Sequence, residues 1–229
     1  MKLGIMQPYF LPYIGYFQLM KAVDNYVIAD NLNYIKQGWI NRNNLLMNGT
    51  GFMFQLATIG ASQNKLINEI FVADDQSKLL KTIEINYRKA PFFADVFPIM
   101  ESILQYEDKN LARYLGNSLV RIAEYLRFET EFSYMSDLKR DTSLKAQDMV
   151  INVCTIMEAA DYINAIGGME LYDKKIFKKN SIDLFFLKTN PIEYKQFKNS
   201  FVPNLSMLDV LMFNSMEQTN ELLLQYELV

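Results

Sequence analysis

Histidine is absent from this 229-residue chain. Without it there can be no Ser-His-Asp or Cys-His triad, no His-ligated zinc and no imidazole proton transfer. Any side-chain proton transfer falls to Asp, Glu, Lys or Tyr. Cysteine occurs once, as Cys154, so no intrachain disulfide can form and a structural zinc site lacks ligands. That thiol lies in the apolar run MVINVCTIM, where a buried, inert side chain is expected over a nucleophile. One cysteine fits a reducing compartment. No apolar run reaches the ~18 residues of a membrane span. The N-terminus lacks the basic, apolar and small-residue order of a secretion signal. A cytoplasmic protein is expected. The net charge of −3 is far from the basic footprint of a nucleic-acid binder. The expected partner is therefore a small molecule, with self-association into a homo-oligomer left open.

Hydrophobic residues make up 50% of the chain and aromatics 14%. The aromatic excess has two readings: a core plus an aromatic-lined cleft, or a core rich in Phe and Tyr. The length suits a self-sufficient core, and no linker or repeat divides it, so 1–229 reads as one domain.

Hydrophobic patterning predicts the order of elements. KLGIM (2–6) reads as a buried strand, GYFQLMKAV (15–23) as a helix and YVIAD (26–30) as a second strand, together a βαβ unit. Residues 31–48 are polar and read as a long functional loop, closed by an Asn48-Gly49 turn. Strands are expected at 51–58 and 66–73. Helical spacing begins after Asp75, restarts at Pro91 and is cleanest over 109–126, where Leu111, Tyr114, Leu115, Leu119, Ile122 and Leu126 share a face. A strand at 131–138, a helix at 145–159, a strand at 161–168, a helix at 169–180 and a strand at 182–188 follow. The C-terminal part is helical with a break near Asn214. This alternation predicts a Rossmann-like α/β fold: a mainly parallel sheet with flanking helices, and helical additions at about 75–130 and 205–227.

Ligands of such sheets bind beyond the carboxyl ends of the strands, which nominates the junctions 7–15, 30–43, 136–141 and 164–168. In the first, MQPYFLPYIGYF, Gln7, Tyr9, Tyr13, Gly15 and Tyr16 are candidate binding residues. In the second, Asn31, Asn33, Tyr34, Lys36, Trp39, Arg42 and Asn43 combine amides, an aromatic plane and cations. That is a set suited to a sugar and its diphosphate, with Arg able to grip bidentately. Asp30, at the end of the second strand, is one candidate base. Asp209 is the other, although it also sits where it could complete a capping arrangement begun by Ser206. The basic pair Arg88-Lys89 either meets phosphate or faces solvent. No metal is required.

Several of these segments resemble the WbqC-like proteins: MQPYFLPYIGYFQLM, the run from Asp30 through Trp39 to Asn43, YRKAPFF at 87–93 and FVPNLSMLDVLMFN at 201–214. The resemblance spans essentially the whole chain. It implies a place in bacterial O-antigen and other surface-polysaccharide gene clusters. It departs from the family pattern at Asp30-Asn31, where Asp-Asp is common, and at Asn164-Ala165, where Ser-Gly is common. Tyr13-Ile14-Gly15-Tyr16 is also similar in position to the His-x-Gly-His loop of nucleotidyltransferases, without its imidazoles. The expected activity is group transfer, acyl or aminoacyl, to a nucleotide-linked amino sugar. The cofactor expectation is limited to a nucleotide-containing donor. Two alternatives are a non-catalytic nucleotide-sugar binding protein and a nucleotidyltransferase-like enzyme.

Overall fold

The computed structural model describes residues 1–198 and 200–229. The chain opens with β1 (Lys2–Met6), α1 (Ile14–Lys21) and β2 (Asn25–Ile28), the expected βαβ unit. β1 and β2 pair in parallel from Leu3↔Asn25 to Met6↔Ile28. A Cβ at Gly4 would stand 3.1 Å from the Tyr26 ring, so a glycine here lets the aromatic lie across the neighbouring strand.

Next come β3 (Arg42–Met47), β4 (Thr50–Gln55), β5 (Thr58–Ile59) and β6 (Phe71–Val72). β3 and β4 form an antiparallel hairpin. Asn48 and Gly49 turn it with φ of 51° and 77°, the paired positive angles of a two-residue hairpin turn. The loop expected over 31–48 is therefore shorter than its composition implied, since its last third is strand. The cause is Asn43, a buried polar residue that breaks the apolar alternation while its amide is satisfied inside the protein. The strand expected over 66–73 is a 3-10 turn at Ile67–Glu69 followed by the two residues of β6.

Three helices then cover one face: α2 (Ser77–Tyr87), α3 (Phe93–Leu104) and α4 (Leu111–Tyr125). Asn110 caps α4 by accepting from the Ala112 and Arg113 amides at 3.1 and 3.3 Å. The apolar face read from the sequence of α4 is buried. The chain returns through β7 (Glu131–Tyr134), α5 (Ala146–Ile156), β8 (Asp161–Ala165), α6 (Lys174–Lys179) and β9 (Asp183–Thr189). The expected helix over 169–180 begins only at Lys174. Residues Ile166–Leu171, glycine pair included, form a 3-10 turn after β8. The C-terminal part holds α7 (Met207–Phe213) and α8 (Met216–Leu222), broken at Asn214 as expected. It does not end in helix: β10 (Tyr226–Leu228) pairs antiparallel with β9.

The central sheet has the order β10-β9-β8-β1-β2-β7, parallel except for β10. Numbering only these strands along the chain gives 3-2-1-4-5-6, the doubly wound order, with its reversal between β1 and β8. Strand residues alternate between two cores. Tyr26, Ile28, Ile163 and Leu187 face α1–α4, α7 and the hairpins. Leu3, Ile5, Val27, Tyr162 and Phe186 face α5 and α6. Cys154 lies in this second core, where burial pushes its thiol up to about 12. No helix among the described residues is long and apolar enough to cross a membrane.

Candidate functional site

The strand order fixes where to look, because at the β1/β8 reversal the two connections depart to opposite sides and leave a crevice at the carboxyl ends. The residue that leaves β1 into this region is Gln7.

The loop from Gln7 to Tyr13 is held at Gln7, Phe10, Leu11 and Pro12. The Tyr16 hydroxyl reaches back from α1 to donate to the Gln7 carbonyl at 2.7 Å. The Phe10 amide donates to the Ile40 carbonyl at 2.8 Å. The Leu11 carbonyl accepts from Asn43 Nδ2 at 2.8 Å and from Ser206 Oγ at 2.7 Å. The Met207 amide donates to the Pro12 carbonyl at 2.8 Å. These bonds hold Leu11 at φ 44°, immediately before a proline and in a region an L-residue with a branched side chain avoids. A backbone kept in so sparsely populated a conformation costs on the order of 1–3 kcal/mol and persists only where its surroundings over-determine it. This loop is built to hold one shape.

Two cavities flank it and share Tyr9. The first, of about 420 Å³, is lined by Tyr9, Pro12, Tyr13, Trp39, Asn43, Asn44 and Asn204. Trp39 is 48% exposed and Tyr13 40%, so both present ring surface at the mouth. Arg42 supports Trp39 from behind. Its guanidinium lies 5.9 Å from the indole ring, and it donates to the Gly38 carbonyl at 2.8 Å and to the Gln37 carbonyl. The second cavity, of about 370 Å³, is the switch-point crevice itself. Its wall includes Met6, Gln7, Tyr9, Leu32, Met149, Tyr162, Asn164, Gly167, Gly168 and Tyr172. Neither lining contains a charged side chain. Burial raises the phenols of Tyr9 and Tyr13, so both act as neutral hydrogen-bonding groups.

The candidate residues divide accordingly. Gln7, Tyr9, Tyr13, Trp39 and Asn43 are brought together around the two cavities. Gly15 lies behind them, where a Cβ would come within 2.5 Å of the Tyr13 ring. Tyr16 and Tyr34 are buried supports; the Tyr34 hydroxyl donates to Asn41 Oδ1 at 2.9 Å. Lys36 and Asn33 are exposed and line neither cavity, and Asn31 Oδ1 accepts from Arg140 at 3.3 Å.

The two carboxylates nominated as bases are enclosed. Asp30 is 1% exposed, and both its oxygens accept from Ser136: Oδ1 from the amide at 2.9 Å, Oδ2 from the hydroxyl at 2.6 Å. Asp209 is fully buried, accepting from the Tyr87 hydroxyl on Oδ1 at 2.8 Å. Its Oδ2 accepts from the Tyr194 hydroxyl at 2.7 Å and Gln196 Nε2 at 2.6 Å. Burial raises its pKa, and the three donors oppose that shift. Ser206 does cap α7, with its oxygen accepting from the Leu208 amide at 3.2 Å.

Reading the chain alone passed over Asn44 and Asn204 in the aromatic cavity, and Tyr162 and Tyr172 in the crevice; the nominated junction 164–168 contains Asn164 without singling it out. Asn164 stands one residue before the end of β8 and three before the glycine pair, inside that junction. Asn204 lies more than 150 residues from the loop it joins, and no local pattern links them.

The chain is 27% identical over 218 residues to the uncharacterized protein Rv1507c of Mycobacterium tuberculosis, covering 92% of each chain. No solved structure gives a significant match. The model of the WbqC-like protein family matches residues 7–221, from the first loop to the last helix, and the chain belongs to that family.

Proposed function

We propose that the protein binds a nucleotide-linked amino sugar at the carboxyl edge of its sheet and transfers an acyl or aminoacyl group to it during bacterial surface-polysaccharide assembly, in the cytoplasm. The observation that carries this reading is the pair of uncharged cavities meeting at Tyr9 on the rigid first loop. Exposed indole and phenol rings beside side-chain amides suit a sugar, which offers apolar faces and hydroxyls together. Asn44 and Asn204 make no side-chain hydrogen bond to described residues, which leaves their amides for a ligand. Two adjoining cavities suit the two halves of a nucleotide-linked sugar.

Amine acylation also matches what the chain lacks. The sugar's neutral amine carries its own lone pair, so the site has to supply position more than proton abstraction. The amine nitrogen bonds to the activated carbonyl carbon, the bond to the leaving group breaks, and the amine proton leaves to solvent or with that group. Holding two reactants in register can supply on the order of 7–11 kcal/mol of barrier reduction. The neutral phenols of Tyr9 and Tyr13 are available to hydrogen-bond the carbonyl oxygen.

One observation favours a second reading, a binding protein without turnover: Asp30 and Asp209 are both enclosed and fully hydrogen-bonded. A single experiment separates the two. The protein is titrated with a panel of nucleotide sugars by thermal shift and then incubated with each binder plus activated acyl and aminoacyl donors, with products read by mass spectrometry. A ligand at 100 times its Kd stabilises by about 2.7 kcal/mol. Binding with an acylated product supports the transferase, and binding without any product supports the binder. If no nucleotide sugar shifts the melting point, both readings fail.

A further inference from the structure

The switch-point crevice has a chemistry of its own. Tyr162, the second residue of β8, is fully buried, and its hydroxyl has no hydrogen-bond partner of ordinary geometry among the described residues. Leaving a buried hydroxyl unpaired is costly and rare. Tyr16, Tyr34 and Tyr87, also buried, each find an acceptor. Tyr26 is unpaired too, but it belongs to the core over Gly4 and lines none of the cavities. Tyr162 lines the crevice. Its ring is fixed by stacking on Phe177, 5.6 Å away at 6°, and Tyr172 stands edge-on at 6.0 Å without a hydrogen bond of ordinary geometry.

The two side-chain amides that line the same crevice differ in kind. Asn164 Oδ1 is used by the Ala165 amide at 2.8 Å, and its Nδ2, a donor, faces the Tyr172 hydroxyl, where it opposes the rise that burial gives that phenol. Gln7 spends its Nε2 on a long contact to the Asn33 carbonyl at 3.4 Å, which leaves its oxygen as an acceptor. At the mouth, a Cβ on Gly168 would stand 2.4 Å from Asn164 Nδ2, so the glycine keeps that amide in place. A Cβ on Gly167 meets nothing within 4 Å. The crevice is thus walled by methionine, leucine and tyrosine, with the Asn164 amide as donor, the Gln7 oxygen as acceptor and the hydroxyls of Tyr9, Tyr162 and Tyr172, which can serve as either. An uncharged planar heterocycle, with mixed donors and acceptors on one edge and two apolar faces, is the complement.

We infer that this crevice is the nucleobase pocket, read by Tyr162, Asn164 and Gln7, and that the cavity beyond Tyr9 takes the sugar. The inference rests on the proposal that the ligand is nucleotide-linked, but it can fail separately.

The test is calorimetric titration of the full chain with uridine, cytidine, adenosine and guanosine at millimolar concentration, alongside the nucleotide sugar found to bind. The expected result is that one nucleoside binds and competes with the nucleotide sugar. Gly167→Trp, whose side chain enters open space at the mouth, weakens both by more than 10-fold with an unchanged melting point. Tyr162→Phe weakens nucleoside binding by about 3- to 10-fold, the range of one hydrogen bond. It also raises the melting point of the free protein, because it removes the unpaired hydroxyl. Affinity and stability moving in opposite directions is a result that a purely structural tyrosine does not give. If nucleotide sugars bind but no nucleoside competes, or if both variants bind nucleoside as the wild type does, the inference falls and the proposed function stands. If nothing nucleotide-containing binds, both fall.

Discussion

Asp30 and Ser136 are joined twice across 106 residues of chain, the amide and hydroxyl of Ser136 each donating to a different oxygen of the Asp30 carboxylate. The pair ties the end of β2 to the 3-10 turn that follows β7, its parallel neighbour. Asp30→Ala leaves both donors of Ser136 without this acceptor. Removing the acceptor of a charge-assisted pair costs about 2 kcal/mol, and a chain of this size loses roughly 2–4 °C of melting temperature per kcal/mol. A drop of roughly 4–8 °C is expected by thermal unfolding. An unchanged melting point would free Asp30 from this structural role and restore it as a candidate base.

Asp209 predicts a pH dependence. Burial raises its pKa in the folded state above the unfolded value of about 3.9. Between those two values the native protein keeps a proton that the unfolded chain has released, so stability falls as pH rises through the window. Below it, where both states are protonated, the penalty is absent. Asp209→Asn removes this titration. The stability difference between wild type and variant, from urea unfolding at successive pH values, should move against the wild type as pH rises from about 4 and level off above the folded pKa. Parallel curves across that range would show that Asp209 is not the titrating group.

The βαβ start was legible because its information is local. KLGIM, GYFQLMKAV and YVIAD each carry a complete period, and Pro8 and Gly15 punctuate them. The carboxyl-edge rule then directed attention to the Gln7 loop and to Trp39 and Asn43. β10 was not legible: three residues carry no period, and the strand exists through pairing with β9, supported by a Lys188–Glu227 ion pair at 2.7 Å. The environment of Asp209 was equally hidden. A carboxylate between Leu208 and Val210 invites a functional reading, but its partner Tyr87 lies 122 residues away. Sequence spacing shows which side chains share a face of one element. It does not show which distant donor will satisfy a buried oxygen.

Gly15 provides a test where two effects of known size oppose each other. In an exposed helix, Gly→Ala gains up to about 1 kcal/mol. Here the added methyl would stand 2.5 Å from Tyr13 Cε2 and 2.6 Å from Thr189 Oγ1. The threonine has little room to yield, because it donates to Gln18 Oε1 at 2.7 Å and Gln18 in turn donates to the Leu222 and Gln225 carbonyls. Overpacking of this kind costs about 1–3 kcal/mol, so the clash outweighs the helical gain. Gly15→Ala should lower the melting temperature by a few degrees and shift the Tyr13 ring; a rise in melting temperature would refute the packing argument.

Trp39 is the sole tryptophan, so its fluorescence reports on the aromatic cavity alone. It is 48% exposed, and truncating a side chain that is half in water costs the fold little, within about 1 kcal/mol. A nucleotide sugar stacked on its indole should change the emission on binding. Trp39→Ala should weaken that ligand by roughly 10-fold or more, since a tryptophan at a binding surface commonly carries over 1 kcal/mol. Arg42→Lys sharpens the test. Lysine keeps the charge but loses the planar fork that donates to the Gly38 and Gln37 carbonyls beneath the ring. If Arg42 positions Trp39, the lysine variant loses affinity by a smaller factor and shows a more mobile indole by fluorescence anisotropy. If instead Arg42 neutralises a diphosphate, the lysine variant keeps most of the affinity, and the loss appears only with an uncharged residue at that position.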